Sequence, residues 1–399
     1  KGEWNMTEKK ILLKEVYKNL LSEAYTEKND KLLPILAYDN EVIEKIEKLI
    51  TIDAQDYEIA IDSKNSKNYY ETYLRIFYGI IKCENEEDLG KWKDSIIENN
   101  PWKEALEKES NKYRSIADSD RSILLSLLEA EIQVINEENL EDLGEIYQNK
   151  VNREDLASTF FENIFRDFEQ AFDGNFENPR VIFMGINPKI VELDHDDYNL
   201  ANLYLNPFDS KRPVLMNKNL DEDYYFKNGG FFFTKSESDE EVREEFIRRV
   251  CEKSEITPFA FWEFYPYATM NQKNWYKEIE IRNGKIKKYF EWHIVLPSQI
   301  WLLCLLSYAI KKAQFENKEL ILYCTKKNAP FAENTMMPLV DILEIDKNKR
   351  ICILTSKSQN RVFSKGNIKA YSSTVIPKFI KLDSNKEFFA SVWGIEGKS

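Results

Sequence analysis

Gly185-Ile186-Asn187-Pro188 ends a short apolar run, RVIFMG, and joins three residue types that suit a ligand site. Glycine lets a backbone or ligand approach closely. Proline fixes φ where the chain leaves the strand, and the Asn187 amide can hold a water molecule or read a base edge. The same four residues also fit a tight strand-to-loop turn. Seven residues beyond Asn187 begins Asp194-His195-Asp196-Asp197. This run offers carboxylates and, in His195, a general base whose ordinary pKa suits neutral pH, although a solvated loop has the same composition. Aromatic residues follow at Tyr198, Tyr204 and Phe208. A ring of this kind can stack on an unpaired base for about 1–3 kcal/mol.

The rest of the inventory narrows the chemistry. Only two histidines occur, His195 and His293, so any triad or imidazole-rich metal site would have to use one of them. Five cysteines stand singly with no C-x-x-C pair, which argues against a disulfide framework, a zinc site or an iron–sulfur site. No metal or cofactor is expected, and the compartment expected is a reducing cytoplasm. The amino terminus shows no pattern of a secretory signal, and the most apolar stretch, 294–310, is interrupted by Pro297, Ser298, Gln299 and Ser307. Neither a signal peptide nor a membrane span is expected.

The elements that must position these residues can be read from periodicity. Of 399 residues 43% are apolar and 31% charged, a composition that excludes disorder and leaves room for more than one core. Residues 1–150 read as helices: Leu12, Val16 and Leu20 repeat at helical spacing, and 123–135 is a strong apolar helix core. Breaks are expected at Lys64-Asn65-Ser66 and Asn99-Asn100-Pro101. After Leu156 an amphipathic helix from Ser158 to Phe172 should pass through a turn, Asp173-Gly174-Asn175, into RVIFMG. Further apolar runs, FAFWEF (259–264), LILYC (320–324) and ICILT (351–355), are continuous rather than alternating, as suits a sheet buried on both faces. A helix from about Pro297 to Ala313 precedes LILYC, and an insertion-like stretch, 194–255, separates the first two runs. The expected architecture is an α/β domain over 151–399, three-layered around a short, mostly parallel four-stranded sheet, preceded by an all-helical domain over 1–150.

A helix, then VIFMGINP, then a strand ending in Tyr265-Pro266-Tyr267, then a long helix into LILYC and ICILT with a Ser-rich loop, resembles the uracil-DNA glycosylase superfamily. The mismatch-specific branch of that family carries a Gly-Ile-Asn-Pro-Gly first motif. The resemblance spans about 180–376 and is specific in that motif alone; the remainder is order and spacing. It implies a DNA glycosylase that extrudes a base and hydrolyses its N-glycosidic bond. Asn187 would orient the attacking water, with Gly185, Ile186 and Pro188 shaping the motif around the base. Tyr198 or Phe208 would stack on that base, Glu263 at the end of the second strand would read its edge, and Tyr265 would wall the pocket. The loop Ser356-Lys357-Ser358-Gln359-Asn360-Arg361 would enter the DNA minor groove, with Ser358 matching the family's serine and Arg361 and Lys365 meeting phosphates.

Departures from the family pattern alter the expected substrate. Lys189 replaces the second glycine, and no histidine stands in the second motif to stabilise a departing base anion. Ser356, Gln359 or Asn360 would have to donate instead. Glu263 stands where an amide is expected. An ionised carboxylate only accepts hydrogen bonds, so it favours an exocyclic amino group over uracil O4, and the expected base is not plain uracil. Bond cleavage leaves positive charge on the sugar, which Asp194 or His195 could offset or serve as base. The rival expectation is a non-catalytic nucleobase- or nucleotide-binding module, its helical half docking a protein partner. A third is an unrelated α/β enzyme acting on free nucleosides or nucleotides.

Charge divides along the chain. The net charge is −13, the wrong sign for a surface that clings everywhere to nucleic acid or anionic membrane. Residues 1–150 hold 21 basic and 33 acidic side chains, 151–310 hold 19 and 27, and 311–399 hold 16 and 9. The carboxyl-terminal segment is therefore basic and keeps DNA contact open, while the acidic front suits a protein partner or solvent.

Overall fold

A computed structural model describes residues 65–103, 117, 119–120, 171–185, 207–208, 248, 258–264, 266, 280–282, 285–287, 296–324, 337–345, 350–357, 363–370, 378 and 380–394. Its elements, in chain order, are α1 (Asn65–Lys82), α2 (Glu86–Glu98), β1 (Phe172–Gly174), β2 (Val181–Gly185), β3 (Phe259–Glu263), β4 (Glu280–Arg282), β5 (Lys285–Lys287), α3 (Pro297–Phe315), β6 (Leu320–Cys324), α4 (Met337–Ile342), β7 (Ile351–Ser356), β8 (Ile368–Ala370) and α5 (Asn385–Trp393). No described helix is long and apolar enough to cross a membrane.

The fold is mixed α/β. One sheet runs β1-β3-β2-β6-β7-β8, and β4 and β5 form a separate two-stranded ribbon. β3, β2, β6 and β7 pair in parallel, while β1 and β8 pair antiparallel at the edges. The sheet thus has six strands, not the four expected. β1 is the clearest departure, because Phe172–Gly174 were expected as a helix end and a turn. Gly174 explains it: φ is +83°, and a Cβ there would press on the backbone of Phe259 and Ala260, so only glycine lets this edge strand lie against β3.

Alternation splits the strand side chains between two cores. Ile182, Met184, Ala260, Trp262, Leu322 and Ile353 face α3, whereas Val181, Phe183, Phe259, Tyr323 and Leu354 face Phe363 and the α5 residues Phe388, Phe389 and Val392. Phe363 stacks on Phe388 with ring centres 3.8 Å apart. α5 is closed by Ser384, which accepts from the Glu387 N–H, and by Gly394 at φ 68°. Arg180 reaches across to donate to the Val392 carbonyl at 2.6 Å.

α3 is buried from Pro297 through Ile310. A helix that is apolar on every side belongs inside, and α3 lies between the sheet and a layer made by α1 and α2. Several side chains tie it to neighbouring backbone: Trp301 Nε1 donates to Ile96 O (2.9 Å), Gln314 Nε2 to Leu343 O (2.8 Å), and Trp262 Nε1 of β3 to Leu302 O (2.9 Å), whereas the buried Ser307 hydroxyl has no partner. At its far end Lys312 pairs with Glu86, Glu177 and Glu316. Burial opposes the Lys312 charge, but these carboxylates outweigh it and raise the pKa. The sequence placed α1 and α2 in a helical domain of their own. Their Tyr73, Phe77, Ile80, Leu89 and Ile96 instead join the core that contains α3 and one sheet face.

Two measurements probe this arrangement. Asp120 accepts from the Ser298 N–H at the start of α3, so Asp120→Ala should lower the unfolding free energy by about 1–2 kcal/mol in urea melts, the usual cost of a lost cap. Burial pushes the Cys352 thiol from its ordinary 9.0 up to about 12. The folded chain then keeps a proton that the unfolded chain loses above pH 9, so stability should fall as pH rises from 9 towards 12. Each such thiol contributes a slope of about 1.4 kcal/mol per pH unit, and Cys352→Ala should make the decline shallower.

Candidate functional site at the carboxyl edge of the sheet

Taken in chain order, the parallel strands β2, β3, β6 and β7 stand in the order second, first, third, fourth. The chain runs outward from β2 to β3, then crosses back over β2 through α3 to reach β6. Connections therefore leave in opposite directions between β2 and β6, and in open α/β sheets ligands bind outside the carboxyl ends of strands at such a point. Gly185 ends β2 there, and Cys324 ends β6 beside it.

Gly185 pairs with Glu263, and both lie on the Phe183 face of the sheet. A Cβ at 185 would overlap the Glu263 carboxylate, whose Oε2 is buried, so the glycine is the space the carboxylate occupies. Backbone bonds fix the pair from both sides: Phe264 N–H donates to Gly185 O (3.2 Å) and Glu263 N–H to Ala171 O (2.7 Å). Ser356 ends β7 in the same row and is buried at 3% exposure. It stands about 10 Å from Gly185, two interstrand spacings away. Beneath this polar row lies an aromatic one: the Phe183 ring stacks on Phe261 at 5.2 Å and meets Tyr323 edge-on at 5.9 Å.

The start of α3 lies at the same edge. Gln299 is fully buried; its Oε1 accepts from the Leu296 N–H (2.9 Å) and its Nε2 donates to Phe264 O (3.2 Å). It thus clamps the residue next to Glu263 to the helix. A helix N-terminus attracts anions, but here Asp120 fills that place, taking hydrogen bonds from the Ser298 N–H, the Ser298 hydroxyl and the Ser119 hydroxyl. Burial, and next the Asp120 carboxylate, hold the Tyr73 pKa well above its usual value. Burial likewise raises the Cys324 pKa, so this thiol is no thiolate nucleophile at neutral pH. Among the described residues no cluster of three or more His, Cys, Asp or Glu could hold a metal ion.

Of the residues expected in the site, the sheet brings Gly185, Glu263 and Ser356 onto one edge. Phe208 is not there. Its ring packs 4.7 Å from Tyr308 of α3, and the neighbouring Pro207 carbonyl binds Phe176 N–H near the start of β3, the opposite end of the strands. It is a core residue, with Lys93 Nζ 5.4 Å over the ring, and cannot stack on a base at Gly185. Lys365 is exposed on the β7–β8 connection and lies 3.6 Å from Asp383. Ile186, Asn187, Pro188, Asp194, His195, Tyr198, Tyr265, Ser358, Gln359, Asn360 and Arg361 lie outside the described residues. Sequence reasoning missed Gln299, Ser298 and Asp120. Proline at the first helical position with Gln two residues on was a readable helix-start signal for Gln299, whereas Asp120 is 178 residues from its partner and carries none.

The Gly185–Glu263 packing can be tested by a double-mutant cycle. Gly185→Ala alone should cost about 1–3 kcal/mol, the usual penalty for overpacking. In a Glu263→Ala background the same change should cost less, with a coupling of about 0.5–3 kcal/mol; additive melts would show that the two side chains do not meet.

Compared with family models, with curated proteins and with solved structures, the chain matches none of them.

Proposed function

We propose that the chain recognises an extruded nucleobase in DNA and hydrolyses its N-glycosidic bond, and that the base is one other than plain uracil. The observation that supports this reading is the Gly185–Glu263 pair at the strand-order reversal, where a carboxylate stands over a glycine at the carboxyl edge, the side on which open α/β sheets generally bind ligands. Glu263 accepts from an exocyclic amino group. Asn187, two residues past Gly185, holds the attacking water. The water oxygen bonds to the sugar C1′ as the C1′–N bond breaks; its proton passes to Asp194 or His195, and the base leaves with the bonding pair and is protonated. Ser356 and the loop after it supply neutral donors to that base.

The test is incubation of the full chain with oligonucleotides carrying normal, deaminated and modified bases, followed by alkaline cleavage at abasic sites. Amino-bearing bases should be released faster than uracil, and Asn187→Ala should lower the rate by about 10²–10⁴. Equal rates on uracil would overturn the base assignment. Unchanged turnover in Asn187→Ala would overturn the role of Asn187, and base-dependent binding with no abasic product would make the chain a binding module.

A further inference from the structure

α1 and α2 part to leave a cavity of about 550 Å³ that the catalytic reading does not use. Its place in the fold is set by Cys83, which lies between the two helices and whose carbonyl accepts from Lys311 Nζ of α3 (3.3 Å). Lys311 stands about 18 Å further along α3 than Gln299, so the cavity is remote from the carboxyl edge of the sheet. Gly79, Cys83 and Trp92 line its inner part, the first two buried and the third half-buried. The Trp92 indole occupies the place of a side chain at 79, because a Cβ there would overlap the ring. The Cys83 thiol donates to Gly79 O (3.2 Å) and accepts from the Trp92 indole N–H. Burial raises its pKa to about 11, so it is neutral at pH 7 and adds no charge to this wall.

A volume of this order suits a small molecule, for which cavities run from about 300 to 1,000 Å³. Glycine inside a helix is destabilising relative to alanine, and here it seats an aromatic ring at the wall of the space. The mouth selects the ligand. Lys82, Lys91, Glu84 and Asp88 all stand there, but the two acids are not equivalent to the two bases. Asp88 accepts from Asn85 Nδ2 at one oxygen (2.8 Å) and from Lys91 Nζ at the other (2.8 Å), while Asn85 takes the Asp88 N–H (2.9 Å). That carboxylate is committed to closing the first turn of α2. Glu84 is exposed to solvent, whereas Lys82 is half-buried. Burial lowers the Lys311 pKa and the Lys82 ammonium pushes the same way, so a third cation stands behind the first two. The dipole of α1 accounts for a lysine in its last turn, and Asp88 accounts for Lys91. Neither accounts for the two lining one cavity walled by an indole.

We propose that this cavity binds a small aromatic carboxylate, with its ring against Trp92 and its carboxylate at Lys82 and Lys91. An aromatic ring gains from stacked or edge-on contact with an indole, and an ammonium group donates its strongest hydrogen bonds to an ionised oxygen. A cationic substituent in the same place would instead meet like charge. The proposal is independent of the nucleic-acid reading of the carboxyl edge.

The experiment titrates the full chain, labelled with 5-fluorotryptophan, with indole-3-acetate, indole and tryptamine. These probes share a ring and differ in carrying a carboxylate, no charge and an ammonium group. The Trp92 fluorine signal is identified by its loss in Trp92→Phe. Indole-3-acetate should shift that signal saturably and bind about two- to fivefold more tightly than indole, the range for an exposed ion pair, with tryptamine weakest. Combining Lys82→Gln and Lys91→Gln should abolish the preference and leave the affinity for indole unchanged. Gly79→Ala drives the indole ring into the cavity and should weaken the binding of all the probes. Should it fail to fold, Ser95→Leu, which fills the cavity from α2, should do the same. A Trp92 signal that moves with none of the probes overturns the cavity as a ligand site. Indole or tryptamine bound as tightly as indole-3-acetate overturns the anionic class, and a preference that survives the lysine variant overturns the role given to Lys82 and Lys91.

Discussion

Everything at the carboxyl edge depends on a helix that has no free side. α3 is clasped by the sheet on one side and by α1 and α2 on the other, so its register against each is set by packing and by hydrogen bonds from its own side chains and to its own carbonyls. Such a helix cannot slide or rotate without exposing indole rings or leaving buried donors unmet. Its first turn is fixed most firmly, because Asp120 satisfies the Ser298 N–H from a segment 178 residues away while Gln299 reaches forward to Phe264. The amino-terminal helices are thus part of the support for the site. Removing them would uncover one side of α3.

That constraint explains how a carboxylate can stand at the edge. Glu263 has its own backbone N–H tied to Ala171, and Phe264 is held by Gly185 on one side and Gln299 on the other. With its backbone fixed in this way, the Glu263 side chain lies across Gly185, in the space that a Cβ there would take. An edge so braced loses little conformational freedom on meeting a ligand, which is the condition for discrimination by hydrogen-bond geometry.

The strands of the parallel core were legible in the sequence because burial on both faces leaves continuous apolar runs: FAFWEF, LILYC and ICILT each coincide with a strand to within a residue. α3 was legible from Pro297 and the largely apolar run that follows it, and the break at Asn99 falls where α2 ends. The short antiparallel edges were not, since a three-residue strand has no period to detect, and Gly174 signals a turn and a close backbone approach equally. Phe208 was misjudged for a related reason. An aromatic side chain has the same sequence signature whether it fills the space beside Tyr308 or waits for a base. Nor could periodicity reveal that α1 and α2 share a core with the sheet, because an amphipathic face does not name its partner. Of the candidate site, Gly185 and Glu263 were identified singly, while their contact depends on a parallel register that only the fold supplies.

The charge distribution resolves how a chain of net −13 can meet a polyanion. Fields between exposed charges decay over about 8 Å at physiological ionic strength, so a phosphate at the β7–β8 corner responds to the lysines beside it far more than to acidic residues elsewhere. The distant acidity still acts as a weak repulsion for any approach that does not present phosphate to that corner. A uniformly basic protein would hold DNA in many orientations, most of them with the carboxyl edge of the sheet facing away. For any anionic partner, a basic corner on an acidic body would favour approach from the side of Ser356, so the sign of the global charge would narrow such an encounter instead of forbidding it.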